Sequence, residues 1–166
     1  MSLALFAIFP LCLVVAAFTD LAGMKIPNTI PAIVLAGFFA AALYQGLGLS
    51  QIGLALASGL AVLAGCFLLF ILNAMGGGDA KLLAAAAPWF GFGAGLSAFL
   101  INVALCGGVL TLLLLVLRSQ KARIAASGLR LPHSLLHENK VPYGIAIAAA
   151  GLLSLRHISV IDALPV

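Results

Sequence analysis

The sequence has few side chains that can perform acid-base chemistry, because only four of its 166 residues are acidic. Two of these acids stand beside apolar runs. Asp20 follows the run from Ser2 to Thr19, and Asp79 ends the glycine stretch Gly76-Gly77-Gly78. An acid in a membrane span costs at least about 2.5 kcal/mol on insertion scales, so an acid kept there usually has a function.

Two carboxylates at one site can divide the work of peptide hydrolysis. Repulsion between like charges and partial desolvation favour a pair that holds one proton, so one group is an ionised base and the other an acid. The base deprotonates a water molecule, the acid hydrogen-bonds to the scissile carbonyl oxygen, and the proton then passes to the leaving amine. The pair titrates as a unit, so base and acid stay unassigned between Asp20 and Asp79. This chemistry needs no cofactor and no metal, and we expect neither.

The elements that position these acids are apolar. Hydrophobic residues make up 64% of the sequence and charged residues 7%, which is typical of an integral membrane protein. We predict an all-α polytopic membrane protein, a single domain over residues 1–166 with no sizeable soluble domain. About six transmembrane helices are expected, over residues 2–19, 29–44, 52–72, 80–92, 96–117 and 143–155.

Basic residues predict the orientation of these spans. If six spans alternate sides, Lys25, Lys81 and the five Lys and Arg residues of the loop 118–142 fall on one side, and only Arg156 falls on the other. The positive-inside tendency makes that side cytoplasmic, with both acids and the long loop. The net charge of +4 then reflects orientation and contact with membrane lipid, and we expect no nucleic acid partner.

Several residues near the acids have a structural explanation beside a functional one. Asp79 could simply cap a helix, and Asn28 is predicted to cap the second span. The three glycines Gly76, Gly77 and Gly78 would let an extended peptide approach the acid, although they could also form a plain turn. Lys81 should point to another face than Asp79, where it raises the local positive potential or reaches the interface.

Other residues are expected to serve packing or solvation. Trp89 suits the membrane interface opposite the acids. Pro88-Trp89 and the stretch Gly91-Phe92-Gly93-Ala94-Gly95 are expected to interrupt the fourth span there, so that it is short or bent near its far end. Small residues of the third span offer surfaces for close helix approach: Gly53, Ser58, Ala61 and Gly65. His133 and His137 have helical i, i+4 spacing but no third ligand nearby, so a solvated loop is favoured over a metal site.

Three motifs carry a resemblance to a known family. Gly76-Gly77-Gly78-Asp79 matches the GxGD pattern of intramembrane aspartate proteases, and its continuation Ala80-Lys81-Leu82 resembles the type IV prepilin peptidases. Asp20 with the following Lys25-Ile26-Pro27-Asn28 is similar to that family's first aspartate segment, and Val141-Pro142-Tyr143-Gly144 to the motif that opens its last helix. The resemblance implies a bacterial inner-membrane aspartic endopeptidase with Asp20 and Asp79 as catalytic residues. Its partner would be a prepilin or pseudopilin precursor peptide, cut after a glycine at the cytoplasmic face.

One departure from the family is informative. Its long members carry a domain with paired CxxC motifs that is associated with methylation of the new amino terminus, and this sequence has no CxxC pair. The chain instead resembles the short form found with tight-adherence (Flp) pili, so we expect cleavage without methyl transfer. Two alternatives remain open: a small ion- or proton-coupled transport subunit that uses Asp20 and Asp79, and a noncatalytic pilus-assembly factor.

Overall fold

The computed structural model describes residues 2–120 and 141–158. They form six α-helices and one short 3₁₀ helix, which confirms the all-α prediction for this part of the chain. The elements are α1 (Ser2–Gly23), α2 (Thr29–Tyr44), α3 (Leu49–Ile71), α4 (Gly77–Phe90), α5 (Ala94–Ser119), α6 (Tyr143–Leu153) and the 3₁₀ helix (Leu155–His157).

The helix ends differ from the predicted span limits at the two places that matter for the acids. Helix α1 continues to Gly23, so Asp20 lies in its last turn and not beyond it. Helix α4 already begins at Gly77, so Asp79 lies in its first turn. Both acids are therefore held by regular helical backbone, which fixes their direction better than a loop would.

Helix α4 is short, as predicted, and it ends two residues before the predicted limit at residue 92. Pro88 and Trp89 were expected to interrupt the helix, yet both lie within it, and it ends at Phe90. The chain then turns through Gly91 and Gly93, whose φ values of 63° and 148° are unfavourable for side-chain-bearing residues. Of the two predicted interruptions, the glycine stretch ends this helix and Pro88 does not.

The six helices pack side by side in a bundle. Helix α1 packs against α2 and α6, α4 packs against α2, α3 and α6, and α6 lies between α1 and α5. The Phe9 ring near the start of α1 contacts the rings of Trp89 and Phe90 at the end of α4, with centroids 5.0 and 5.8 Å apart. At the other end, a Cβ at Gly78 in the first turn of α4 would lie 3.3 Å from Ile26 Cβ, three residues after α1. Helices α1 and α4 are therefore antiparallel.

Trp89 corrects one prediction. Its side chain is fully buried, and its Nε1 donates a hydrogen bond of 3.1 Å to the Val34 carbonyl oxygen of α2. The ring also packs near Phe38. It is a core residue that joins α2 to α4, and not an interface residue, because the short α4 lies in the middle of the bundle.

Close packing of α3 on α4 uses a different small residue from those predicted. A Cβ at Gly59 would lie 2.9 Å from the Ala84 carbonyl oxygen and 3.1 Å from Pro88 Cγ. Among the residues that the structure describes, Gly53 and Gly65 have no such neighbour within 4 Å, so their predicted role in close helix packing is wrong for this part of the chain. Ser58 is buried as expected, and its hydroxyl donates to the Ala55 carbonyl oxygen of its own helix.

Within the described residues, α3 and α5 are long and apolar enough to cross a membrane. Helix α1 from Ala7 onward, α2 and α6 are shorter apolar helices. Large apolar side chains of α5, such as Leu112 and Leu115, are more than half exposed on the outer surface of the bundle. Such a surface is compatible with lipid as its solvent.

Candidate active site

Asp79 is held by the turn that begins its own helix. Gly76 is the N-cap residue of α4, and Asp79 is the third residue of the helix. The Asp79 carboxylate folds back against the Gly76 backbone, since a Cβ at Gly76 would lie 2.8 Å from Asp79 Oδ2. Asp79 does not occupy the N-cap position itself, and its carboxylate lies near the favourable positive end of the α4 dipole.

Asp20 is held by a helix that lies more than a hundred residues away in sequence. The Gly144 backbone N–H, at the second position of α6, donates a buried hydrogen bond of 2.7 Å to Asp20 Oδ2. The approach depends on the missing side chain, because a Cβ at Gly144 would lie 2.8 Å from the same oxygen. Sequence reasoning assigned no role to Gly144, although it belongs to a motif that resembles the family.

The Gly144 contact also explains why an acid is tolerated at the end of α1. The carboxyl-terminal end of a helix dipole disfavours negative charge, so α1 itself destabilises an ionised Asp20. The Gly144 N–H in the first turn of α6 points at this carboxylate, so the amino-terminal end of α6 supplies an opposing positive end. Each of the two acids therefore lies at the amino-terminal end of a helix, Asp79 at that of α4 and Asp20 at that of α6.

The two carboxylates share one end of the bundle. Asp20 is 4% exposed and Asp79 is 8% exposed, and the charge of Asp20 acts directly on Asp79. These are the buried acids of the described residues, and apolar core side chains such as Ile26 and Ala80 lie near them in sequence and are buried too. A buried, interacting pair of acids can perform the shared-proton chemistry that peptide hydrolysis requires.

A second polar contact joins the two motifs that contain the acids. Lys81 Nζ donates a hydrogen bond of 3.0 Å to Asn28 Oδ1 at the exposed surface. Asn28 does occupy the N-cap position of α2, but its side chain makes no capping hydrogen bond, so that predicted role is wrong. Lys81 lies on a different face of α4 from Asp79, as the helical spacing predicts.

The three glycines have different surroundings. Gly76 is exposed, and a Cβ there would lie 2.8 Å from Asp79 Oδ2. A Cβ at Gly77 would meet the Phe70 ring at 3.4 Å, and one at Gly78 would meet Ile26 Cβ at 3.3 Å. Gly77 and Gly78 thus allow α3 and the segment after α1 to pack closely on the start of α4, whereas the missing side chain of Gly76 leaves room for the Asp79 carboxylate.

Asn102 and the cysteines take structural positions. Asn102 Nδ2 donates a hydrogen bond of 2.9 Å to Ser154 Oγ, which joins α5 to the end of α6. Cys12, Cys66 and Cys106 are free thiols.

The described residues contain no group of three His, Cys, Asp or Glu side chains that could hold a metal ion. His133, His137, Glu138 and Asp162 lie outside the described residues.

The sequence of the chain matches the model of a known protein family. A family model described as the type IV leader peptidase family matches residues 7–112, which contain both Asp20 and Asp79. Comparisons with curated proteins and with solved structures find no match. The matched region ends within α5, so the α6 segment with Gly144 lies beyond it.

Proposed function

Because the chain belongs to the type IV leader peptidase family, we propose that it is a membrane aspartic endopeptidase that uses Asp20 and Asp79 to remove leader peptides from prepilin-type precursors. The observation that carries this proposal is the pair of buried acids at one end of the bundle, with Asp20 held by the Gly144 N–H and Asp79 lying against Gly76. Burial strengthens their mutual repulsion, which favours a pair that holds a single proton.

The chemistry follows from that shared proton. The ionised carboxylate removes a proton from a water molecule, which attacks the scissile carbonyl carbon, while the protonated carboxyl group hydrogen-bonds to the carbonyl oxygen. The tetrahedral diol collapses when a proton reaches the leaving amine, and the peptide C–N bond breaks. No covalent acyl-enzyme forms, and the two acids return to their starting state. The Gly144 N–H keeps the Asp20 carboxylate oriented throughout.

We assign the substrate approach to the exposed side of the glycine turn. Gly76 lies beside Asp79 and carries no side chain, so an extended peptide can reach the acid there, with Gly77 and Gly78 supporting the turn from within. Lys81 has a secondary role, since its ammonium group raises the positive electrostatic potential near Asp79. The peptide is cut after a glycine that precedes an apolar helix, and the product is not methylated, as in the short form associated with tight-adherence (Flp) pili.

The proposed membrane arrangement has six crossings in a bacterial inner membrane and the acids at the cytoplasmic face. Lys25, Lys81 and Arg118 lie at or near helix ends that share the acid end of the bundle, in agreement with the positive-inside tendency. Membrane-impermeant labelling of single cysteines introduced at Lys25 and Arg156 tests the orientation. Labelling of the Lys25 site from outside the cell would contradict it.

The catalytic proposal is tested with the purified full-length protein and a synthetic precursor that has a basic leader, a glycine and an apolar segment. Asp20→Asn and Asp79→Asn each keep the side-chain volume but remove the shared-proton pair, so each variant should insert normally and release no leader. Asp162→Asn is the matched control and should cleave like the unmodified protein. Mass spectrometry of the products identifies the cut. Full cleavage by either Asp20→Asn or Asp79→Asn would refute the mechanism, and a methylated product would contradict the assignment to the short form.

A further inference from the structure

A groove between α2, α3 and α4 lies apart from the two acids. It has a volume of about 480 Å³ and opens to the side of the bundle. Its walls are apolar stripes at helical spacing, formed by Pro31 and Leu35 of α2, Leu60 of α3, and Ala84 and Pro88 of α4. In a membrane protein such a lateral groove faces acyl chains and not water.

The groove has one polar end. Asn28 and Lys81 line it there, joined by their 3.0 Å hydrogen bond, and seven residues of α4 separate Lys81 from Pro88 at the other end. Seven helical residues correspond to a length of about 10 Å. The groove therefore has one cationic group at one end and apolar walls along the rest of its length. An ammonium group has three donors, and the bond to Asn28 occupies one of them.

We propose that this groove binds a single anionic phospholipid, with its phosphate at Lys81 and one acyl chain along the apolar walls. Charge complementarity selects an anionic headgroup, because Lys81 would attract a phosphate and would repel a basic leader peptide. The single polar end and the apolar walls along the remaining length of about 10 Å match a lipid, which has one headgroup and an apolar chain.

The occupant would bridge the segments that carry the two acids. Asn28 follows Asp20 by eight residues and Lys81 follows Asp79 by two, so a headgroup at this position lies beside both motifs. A chain filling the groove also contacts three helices that otherwise leave apolar surface open, which stabilises their mutual packing. The proposal depends on the membrane setting and not on the catalytic role of the acids.

Trp89 provides a built-in probe, because it is the single tryptophan of the sequence and directly follows Pro88 in the groove wall. The full-length protein is placed in detergent micelles, and phosphatidylglycerol with brominated acyl chains is added in increasing mole fraction. Bromine quenches tryptophan fluorescence only at short range. Quenching should reach its midpoint at a lower mole fraction than with phosphatidylcholine carrying the same chains.

Matched variants separate headgroup from chain. Lys81→Gln should raise the phosphatidylglycerol midpoint about fivefold, the effect of one lysine near an anionic lipid surface, whereas Lys25→Gln should leave it unchanged. Ala32→Leu, which narrows the groove, should weaken quenching by both lipids, and Ala36→Leu on an exposed position outside the groove should not. Asp79→Asn should bind lipid like the unmodified protein, which keeps this test independent of catalysis.

Four results would overturn the proposal. Equal midpoints for the two lipids, or equal effects of Lys81→Gln and Lys25→Gln, would show that no headgroup is recognised at the groove. Full quenching in Ala32→Leu would place the chain elsewhere. Competitive relief of quenching by an uncleavable prepilin peptide would assign the groove to the substrate helix.

Discussion

Replacing Gly144 by alanine should lower the catalytic rate, because the added methyl group displaces the carboxylate of Asp20. The added Cβ would lie 2.8 Å from Asp20 Oδ2, 2.9 Å from Asp20 Cβ and 3.1 Å from Asp20 Cγ. Rotation of the carboxylate can relieve the first of these contacts, but the contact with Asp20 Cβ requires α1 and α6 to separate. Either movement lengthens the 2.7 Å hydrogen bond between the Gly144 N–H and Oδ2.

The size of the effect follows from that hydrogen bond. A hydrogen bond to a charged group contributes about 1.5–3 kcal/mol, and its loss leaves a buried carboxylate without its helix N-terminal donor. If the bond keeps Asp20 oriented in the transition state, kcat should fall about 10- to 150-fold. KM should change little, because Gly144 lies beneath the acid and the exposed peptide approach is at Gly76.

The assay is cleavage of the synthetic precursor at saturating and at low peptide concentration, with thermal denaturation of each variant alongside. Gly108→Ala on α5 is the control, since nothing lies within 4 Å of the Cβ it would add. A structural cycle isolates the contact: Gly144→Ala should destabilise the protein less when Asp20→Ala has removed the carboxylate. Unchanged kcat in a folded Gly144→Ala variant would refute the assigned positioning role, as would equal destabilisation in the two backgrounds.

Three further predictions follow from other contacts. Gly59→Ala should lower stability by about 1–3 kcal/mol, because its Cβ meets the Ala84 carbonyl oxygen, whereas Gly65→Ala should be neutral or slightly stabilising in thermal denaturation. Trp89→Phe should cost about 1–3 kcal/mol, since it removes the bond to the Val34 carbonyl and leaves a gap beside Phe9, and a variant as stable as the parent would contradict that contact. The pH profile of kcat should be bell-shaped, because the pair is active only while it holds one proton, and a rate that rises to a plateau would exclude that state.

Much of the fold could be predicted because the sequence is so apolar. Six apolar segments separated by more polar links predict six helices, which the described residues form. Gly and Pro residues in several of these links mark the helix ends within a few residues. Asp20 and Asp79 could be found for the same reason, since an acid next to an apolar run stands out. What the pattern could not give was the direction of single side chains, which depends on where a helix begins.

The missed contacts are all between segments distant in sequence. The bonds from Gly144 to Asp20 and from Lys81 to Asn28 span 124 and 53 residues, and no local periodicity contains them. Trp89 was misplaced for a related reason. A tryptophan near the end of an apolar segment favours the interface in general, but here α4 is central, and the indole N–H finds its acceptor inside the bundle.

Contacts far from the acids determine whether the acids meet. Asp20 follows Phe9 by eleven residues on α1, and Asp79 precedes Trp89 by ten residues on α4. Because the Phe9 and Trp89 rings are in contact, both carboxylates lie about 15 Å further along the bundle, at nearly the same level. On α6, Gly151 lies against Leu13, and seven residues along each helix bring Gly144 to Asp20. A slip of one residue in either pair would shift the helices by about 1.5 Å and turn a side chain by about 100°. Ring packing at one end of the bundle is therefore part of what holds the proposed catalytic pair together at the other.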